Sequence, residues 1–263
     1  MKKRMHNIFK EDGRTFILAF DHGIAMNVGA AAPDPRKVIE SVRKGGADVL
    51  LTSGGVAGSF ADEIGGMGLI VRADGGTTIK GPSGTVFEQL FASVPIEECN
   101  RLGADGVISM MFSHVPDEVG SIERTAAISA ECKKYGLGYC VEAIPGGFAL
   151  PQHQTIENIS FSARLACEMG ADFVKVPFVG EAQAFREQVV EKCYKPVIVL
   201  GGGGGKSDEV ILADVRRAMD AGCSGIAYGR LLWAHPHPEK ICAAITKVIH
   251  EDASVEQALL CCH

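Results

Sequence analysis

The chain has 263 residues, of which 46% are hydrophobic and 22% charged, and its formal net charge is −6. This length suits one large domain or two small ones, with enough apolar content to bury a core. The acidic balance and the lack of a basic block argue against a nucleic-acid partner, and no apolar run approaches a membrane span, so a small-molecule ligand is expected.

The N-terminus, "MKKRMHNIFKEDGR", starts basic, but the apolar run after it, "FILAF" at 16–20, has only five residues and ends at Asp21. A secretory signal needs a longer apolar region and a small-residue cleavage site, so a cytoplasmic protein is expected. "FILAF" is the first predicted strand. "PDPRKVIESVRKGG" reads as a helix opened by proline, followed by strands at 48–53 and 69–74. A strand at 106–112 precedes a helix near 117–134, and one at 138–143 precedes a helix near 155–169. "FVKVPF" at 173–178, "PVIVLG" at 196–201 and "GIAYGR" at 225–230 precede helices near 181–192, 207–220 and 236–249. The connection between the third and fourth strands is the least regular. Helices close on a glycine signal before the next strand in "KGGADVLL", "RLGADGVI", "EMGADFVK" and "DAGCSGIA". Continuous apolar strands point to a parallel sheet covered on both faces. Eight such units without a Pro- or Ser-rich linker predict an α/β fold, a single (β/α)8 TIM barrel over 1–263 with short terminal extensions; a doubly wound open sheet is the alternative.

Nine cysteines are scattered without any C-x-x-C, and Cys261 and Cys262 are adjacent, which reads as reduced thiols rather than disulfides or zinc ligands.

A barrel places chemistry at the C-terminal ends of its strands, with a phosphate site after the last two. Lys175 stands inside the apolar sixth strand. Either its stem covers apolar surface while its head reaches water, or burial favours the neutral amine and makes it a Schiff-base nucleophile. Asp21 and His22 end the first strand, as a capping pair or as an acid/base carboxylate with a polar neighbour. Glu142 lies within the fifth strand, where it is paired or catalytic; Lys175 could be its cation. In "PVIVLGGGGGKSDEV" the Walker A pattern fails because Leu200 stands where a glycine is needed. What survives is a glycine loop opening a helix, in which Gly201 and Gly202 let N–H groups approach an anion and Lys206 adds a cation. Gly229 allows close backbone approach, and Arg230 offers a fork to a phosphate. His114 and His153 follow the fourth and fifth strands and could reach the barrel mouth, whereas His235 and His237 read as surface residues. The stretch 72–84 is a lid or an ordinary loop. No metal-ligand set and no cofactor motif is legible.

A buried lysine, two acids and a two-part phosphate cradle suit Schiff-base aldol chemistry on a phosphorylated carbonyl compound. "ILAFDHG", "GADFVKVPF", "PVIVLGG" and "GCSGIAYGR" resemble the archaeal-type class I fructose-bisphosphate aldolases, a group that includes 2-amino-3,7-dideoxy-heptulosonate synthases and the autoinducer-2 thiolase. The resemblance runs over nearly the whole chain. It implies that Lys175 is the Schiff-base lysine, that Asp21 is the acid/base, that Gly201, Gly202, Gly229 and Arg230 hold phosphate, and that the enzyme is a decamer or pentamer. Many relatives carry Tyr-Pro-Arg-Gly after the fifth strand, with the tyrosine as proton donor. Here Ile144 stands for the tyrosine and Gly146 for the arginine. Glu142, His153 or water is then the donor, and the substrate is expected to differ from fructose bisphosphate. Rival readings are coenzyme A-dependent acyl transfer, a transaldolase-like reaction, a phosphate-ligand binding protein and a nucleotide hydrolase.

Overall fold

The computed structural model describes residues 3–24, 33–76, 90–203 and 205–262. Eight parallel strands close a barrel: β1 (Thr15–Phe20), β2 (Val49–Thr52), β3 (Gly68–Arg72), β6 (Gly106–Met111), β7 (Gly138–Ala143), β8 (Phe173–Val176), β9 (Val197–Leu200) and β10 (Gly225–Tyr228), with β10 pairing back onto β1. The (β/α)8 expectation holds. The irregular connection contains a short antiparallel hairpin, β4 (Asp74–Gly76) and β5 (Leu90–Ala92). The predicted third strand therefore breaks at Ala73, and Asp74 belongs to the hairpin.

The helices are α1 (Met5–Ile8), α2 (Pro35–Lys44), α3 (Gly54–Ser59), α4 (Ala61–Ile64), α5 (Ile96–Arg101), α6 (Glu118–Tyr135), α7 (Ile156–Glu168), α8 (Ala182–Phe185), α9 (Asp208–Asp220), α10 (Arg230–Trp233), α11 (Pro238–His250) and α12 (Val255–Leu259). Six of these, α1, α3, α4, α5, α10 and α12, fall outside the predicted helix ranges. The predicted 181–192 helix is instead α8 continued by a π turn over Arg186–Val190.

The glycine junctions do what their spacing suggests. Gly46, Gly103, Gly170 and Gly222 all have positive φ, between 78° and 99°, a region glycine enters without steric cost. The aspartates that follow have a role the spacing does not reveal. Asp48, Asp105 and Asp172 accept the N–H of the second residue of a neighbouring strand, from Phe16 (2.7 Å), Leu69 (3.0 Å) and Tyr139 (2.9 Å). Three of the four junctions thus supply an acceptor for an N–H near the start of a neighbouring strand.

Side chains alternate along each strand. Leu18, Leu50, Val71, Val107, Val141 and Val174 join the helix-facing core. Ile17, Val49, Ile70, Ile108, Cys140, Phe173 and Ile198 form a separate inner cluster, closed at the N-terminal face of the barrel by Met5, Ile8 and Phe9. Two residues further along the same strands, the same inward direction is taken by Arg72, Met110, Glu142 and Lys175. The polar site therefore sits one side-chain layer above an apolar floor.

Candidate active site

Register explains the central pair. Glu142 on β7 is the Cα partner of Lys175 on β8, so the two side chains leave adjacent strands at one height and on one face. Lys175 Nζ lies 2.8 Å from Glu142 Oε1, with both residues 5% exposed. The lysine does not snorkel; its charge is answered inside the barrel. Glu142 is subject to burial, which raises its pKa, but Lys175 and Arg72 outweigh it and hold the carboxyl at about 2.

Arg72, at the end of β3 and 2% exposed, is the residue the sequence reading missed. Its Nε donates to Asp21 Oδ2 at 2.7 Å, its Nη1 to Asp74 Oδ1 at 3.3 Å, and its Nη2 to Glu142 Oε2. Asp74 Oδ2 in turn accepts from the Met110 N–H at 2.7 Å. Burial raises Asp74 to about 6, against the pull of Arg72. The signal for Arg72 was present, since it is a charged residue in an apolar strand just as Lys175 is.

Asp21 follows β1. Burial acts to raise its pKa, and Arg72, His22 and Lys175 overcome that and hold it low. His22 Nδ1 is 3.6 Å from Asp21 Oδ1 and makes no hydrogen bond, while its ring packs edge-on against Trp233. Burial, ahead of every other influence, lowers its pKa and favours the neutral ring. Gly229 makes room for it, because a Cβ there would sit 2.4 Å from His22 Cε1.

Asp21, His22, Arg72, Glu142 and Lys175 line one cleft together with Gly201, Gly202, Gly229 and Arg230, and Ile24, Met110, Phe148 and Leu200 form its apolar wall. The structure thus brings together the sequence-predicted site residues except Lys206 and the two candidate histidines, His114 and His153, which do not line the cleft. That lysine pairs with Asp214 at 2.6 Å on α9, with its ammonium 3.8 Å from where a Gly202 Cβ would stand. The first turn of α9 carries Asp208 and Glu209, which answer the field of that helix end with their own charge. His114 and His153 stack on each other at 5.8 Å, beside Phe161. His235 bonds Asp208 at 2.8 Å. Residues 77–84 of the candidate loop lie outside the described residues.

The fifth-strand departure has a structural counterpart. Ile144 is 1% exposed and packs with Met110 and Phe112 in an apolar cluster. Gly146 has φ +72°, and a Cβ there would meet the Leu150 carbonyl oxygen at 2.2 Å. This backbone path takes no arginine side chain at that position.

Comparisons with known proteins give the family. A profile of the DeoC/LacD family aldolases matches residues 15–235. The chain is 33% identical over 256 residues to a 2-amino-3,7-dideoxy-D-threo-hept-6-ulosonate synthase of Halobacterium salinarum, covering 96% of this chain and 93% of that one. It is 28% identical to a class 1 fructose-bisphosphate aldolase of Thermoproteus tenax, covering 98% of each. It superposes with TM-score 0.83 and 27% identity on an archaeal fructose-1,6-bisphosphate aldolase whose catalytic lysine is covalently bound to the carbinolamine intermediate, covering 94% of this chain and 98% of that one. Sequence, fold and the lysine-centred cleft agree: the chain belongs to the DeoC/LacD family and is a class I, lysine Schiff-base aldolase.

Proposed function

We propose that the chain, acting as one (β/α)8 domain, makes or breaks a carbon–carbon bond in a singly phosphorylated ketose through an imine on Lys175. The observation that carries this reading is the buried Lys175–Glu142 pair, 2.8 Å apart, facing the glycine loops and Arg230 across one cleft. Glu142 is ionised at neutral pH, so it takes a proton from Nζ as the amine attacks the carbonyl, and returns it when the carbinolamine hydroxyl leaves as water. In this way it fills the role that a tyrosine plays in relatives. The iminium then accepts the electron pair of the breaking bond, while Asp21 removes the proton of the β-hydroxyl.

The charge balance of the cleft supports a single phosphate. Among the described residues lining it, Lys175 is committed to Glu142, and Arg72 to three carboxylates. Arg230 and the glycine backbone are left for an anion. Among the described residues, the apolar part of the lining, Ile24, Met110, Phe148 and Leu200, offers a second phosphate no charge. The named substrate of the Thermoproteus relative carries two phosphates; this cleft suits one.

The reading includes a cytoplasmic homo-oligomer. No described helix is long and apolar enough to cross a membrane, and Val119 on α6 and Phe161 on α7 expose apolar surface suited to association. Gel filtration tests that part.

The central test is borohydride reduction in the presence of singly phosphorylated ketoses. A stable adduct is expected on Lys175, located by peptide mass mapping, and Lys175→Ala is expected to lose both adduct and turnover. Robust turnover without an adduct would sink the reading, and a preference for bisphosphates would sink the single-phosphate assignment.

A further inference from the structure

We propose that Arg72 is a positioning residue for the aldol reaction, whose guanidinium fixes which oxygen of Asp21 and of Glu142 faces the substrate. The proposal rests on the Lys175 reading above.

Three donors of one planar group reach three carboxylates from three different segments: Asp21 after β1, Asp74 on β4 and Glu142 on β7. A planar fork sets the orientation of each carboxylate as well as its charge. Asp21 spends Oδ2 on Arg72, which leaves Oδ1 to receive the proton of the substrate hydroxyl. Glu142 spends Oε2 on Arg72, which leaves Oε1 on Lys175 Nζ. Arg72 is thereby the link between the acid of the first strand and the lysine–glutamate pair across the barrel. It is itself anchored through Asp74 to the Met110 N–H of β6. The charged groups that bear on this cluster are Asp21 and His22 from the β1 end, Asp74 from β4, Glu142 from β7, Lys175 from β8 and Arg230 from α10.

Among the described residues, no contact other than these three carboxylates calls for a guanidinium here. The apolar floor beneath is complete without it, and an arginine held only for packing would not need all three of its donor directions satisfied by carboxylates.

The test compares Arg72→Lys and Arg72→Met in the full chain. Lysine keeps the charge but cannot span three carboxylates, so it separates charge from geometry. Arg72→Met is expected to lower kcat about 100-fold, the scale of a misplaced reacting group, with KM little changed. Arg72→Lys is expected to remain at least about 10-fold impaired. With the positive charge gone, the carboxylates ionise at higher pH, so the acid limb of the kcat/KM profile should move toward neutral in Arg72→Met and much less in Arg72→Lys. Both variants retain Lys175 and should still trap an adduct with borohydride. Wild-type kcat in either variant, a loss confined to KM, or an unshifted acid limb in Arg72→Met would overturn the proposal. If Arg72→Met does not fold, Arg72→Lys carries the test through its kcat. A wild-type enzyme that turns over without an adduct would overturn the Lys175 reading instead, so the two failures are distinct.

Discussion

At the scale of single residues, the barrel interior turns ordinary carboxylates into a graded set. Glu142 sits at about 2 and Asp74 at about 6, although both face Arg72. The difference comes from Lys175, which lies on Glu142 alone at 2.8 Å. Glu142→Gln should therefore do two things. It removes the group that takes the lysine proton, so turnover should fall about 100-fold or more, the usual worth of a positioned general base. It also removes a pH-dependent source of stability. The folded pKa of Glu142 lies below its ordinary 4.5, so its contribution is present above that value and is lost as pH falls toward 2. The window corresponds to on the order of 3 kcal/mol. Denaturant melts of wild type and variant between pH 2.5 and 7 should diverge as pH rises; parallel curves would remove Glu142 from the stability account. Lys175, Glu142 and Asp21 were legible in the sequence because a charge in an apolar strand needs a reason. Arg72 obeys the same rule, yet the two partners that tie it to the site, Asp21 and Glu142, stand 51 and 70 residues away. Only strand register brings them together, and no local pattern encodes that.

At the scale of elements, strand identity and helix stops were readable, while the junction chemistry was not. The glycines after each helix announce a left-handed turn. The aspartate two or so residues later looks like turn punctuation, yet it caps a strand other than the one it precedes. Asp48 goes furthest, because its Oδ2 also meets His250 Nε2 at 2.9 Å, and His250 Nδ1 meets Asp12 at 2.7 Å. The last turn of α11 is thereby tied to the N-terminal segment and to the start of β2. Burial acts first to lower the pKa of His250, but its hydrogen bonds to the carboxylates of Asp48 and Asp12 raise it overall. A raised histidine stabilises the fold fully below its ordinary 6.5, and the effect fades as pH climbs through the folded value. His250→Ala should cost on the order of 2 kcal/mol at pH 6, and the gap to wild type should narrow by pH 9. An equal gap at both values would mean that the contact is packing and not charge.

At the scale of the whole molecule, the barrel divides into a floor and a mouth, and the two should fail differently. The floor is the inner layer of Ile17, Val49, Ile70, Ile108, Phe173 and Ile198, sealed from below by Met5, Ile8 and Phe9. Phe9 meets Phe173 edge-on at 5.2 Å, two residues before Lys175 on the same strand. The mouth is Arg230 with Gly201, Gly202 and Gly229, held where strands and helices begin to part. Ile8 is fully buried, and Ile8→Ala should cost about 2 to 5 kcal/mol through lost transfer energy and the cavity left behind. In a domain this size, that lowers Tm by roughly 5 to 15 °C. Because it leaves the cleft lining in place, KM for a phosphorylated ketose should stay near wild type below the transition. Arg230→Ala removes a charge from the mouth and nothing from the floor, so it should raise KM by about 10-fold or more, as expected for loss of a charge-assisted phosphate contact, and leave Tm close to wild type. Thermal melts and steady-state assays on the pair check the division. The double variant should add the two effects, since sites with no shared partner are independent. Ile8→Ala raising KM, Arg230→Ala lowering Tm, or a non-additive double variant would show that the floor transmits strain to the mouth and would refute the two-part account.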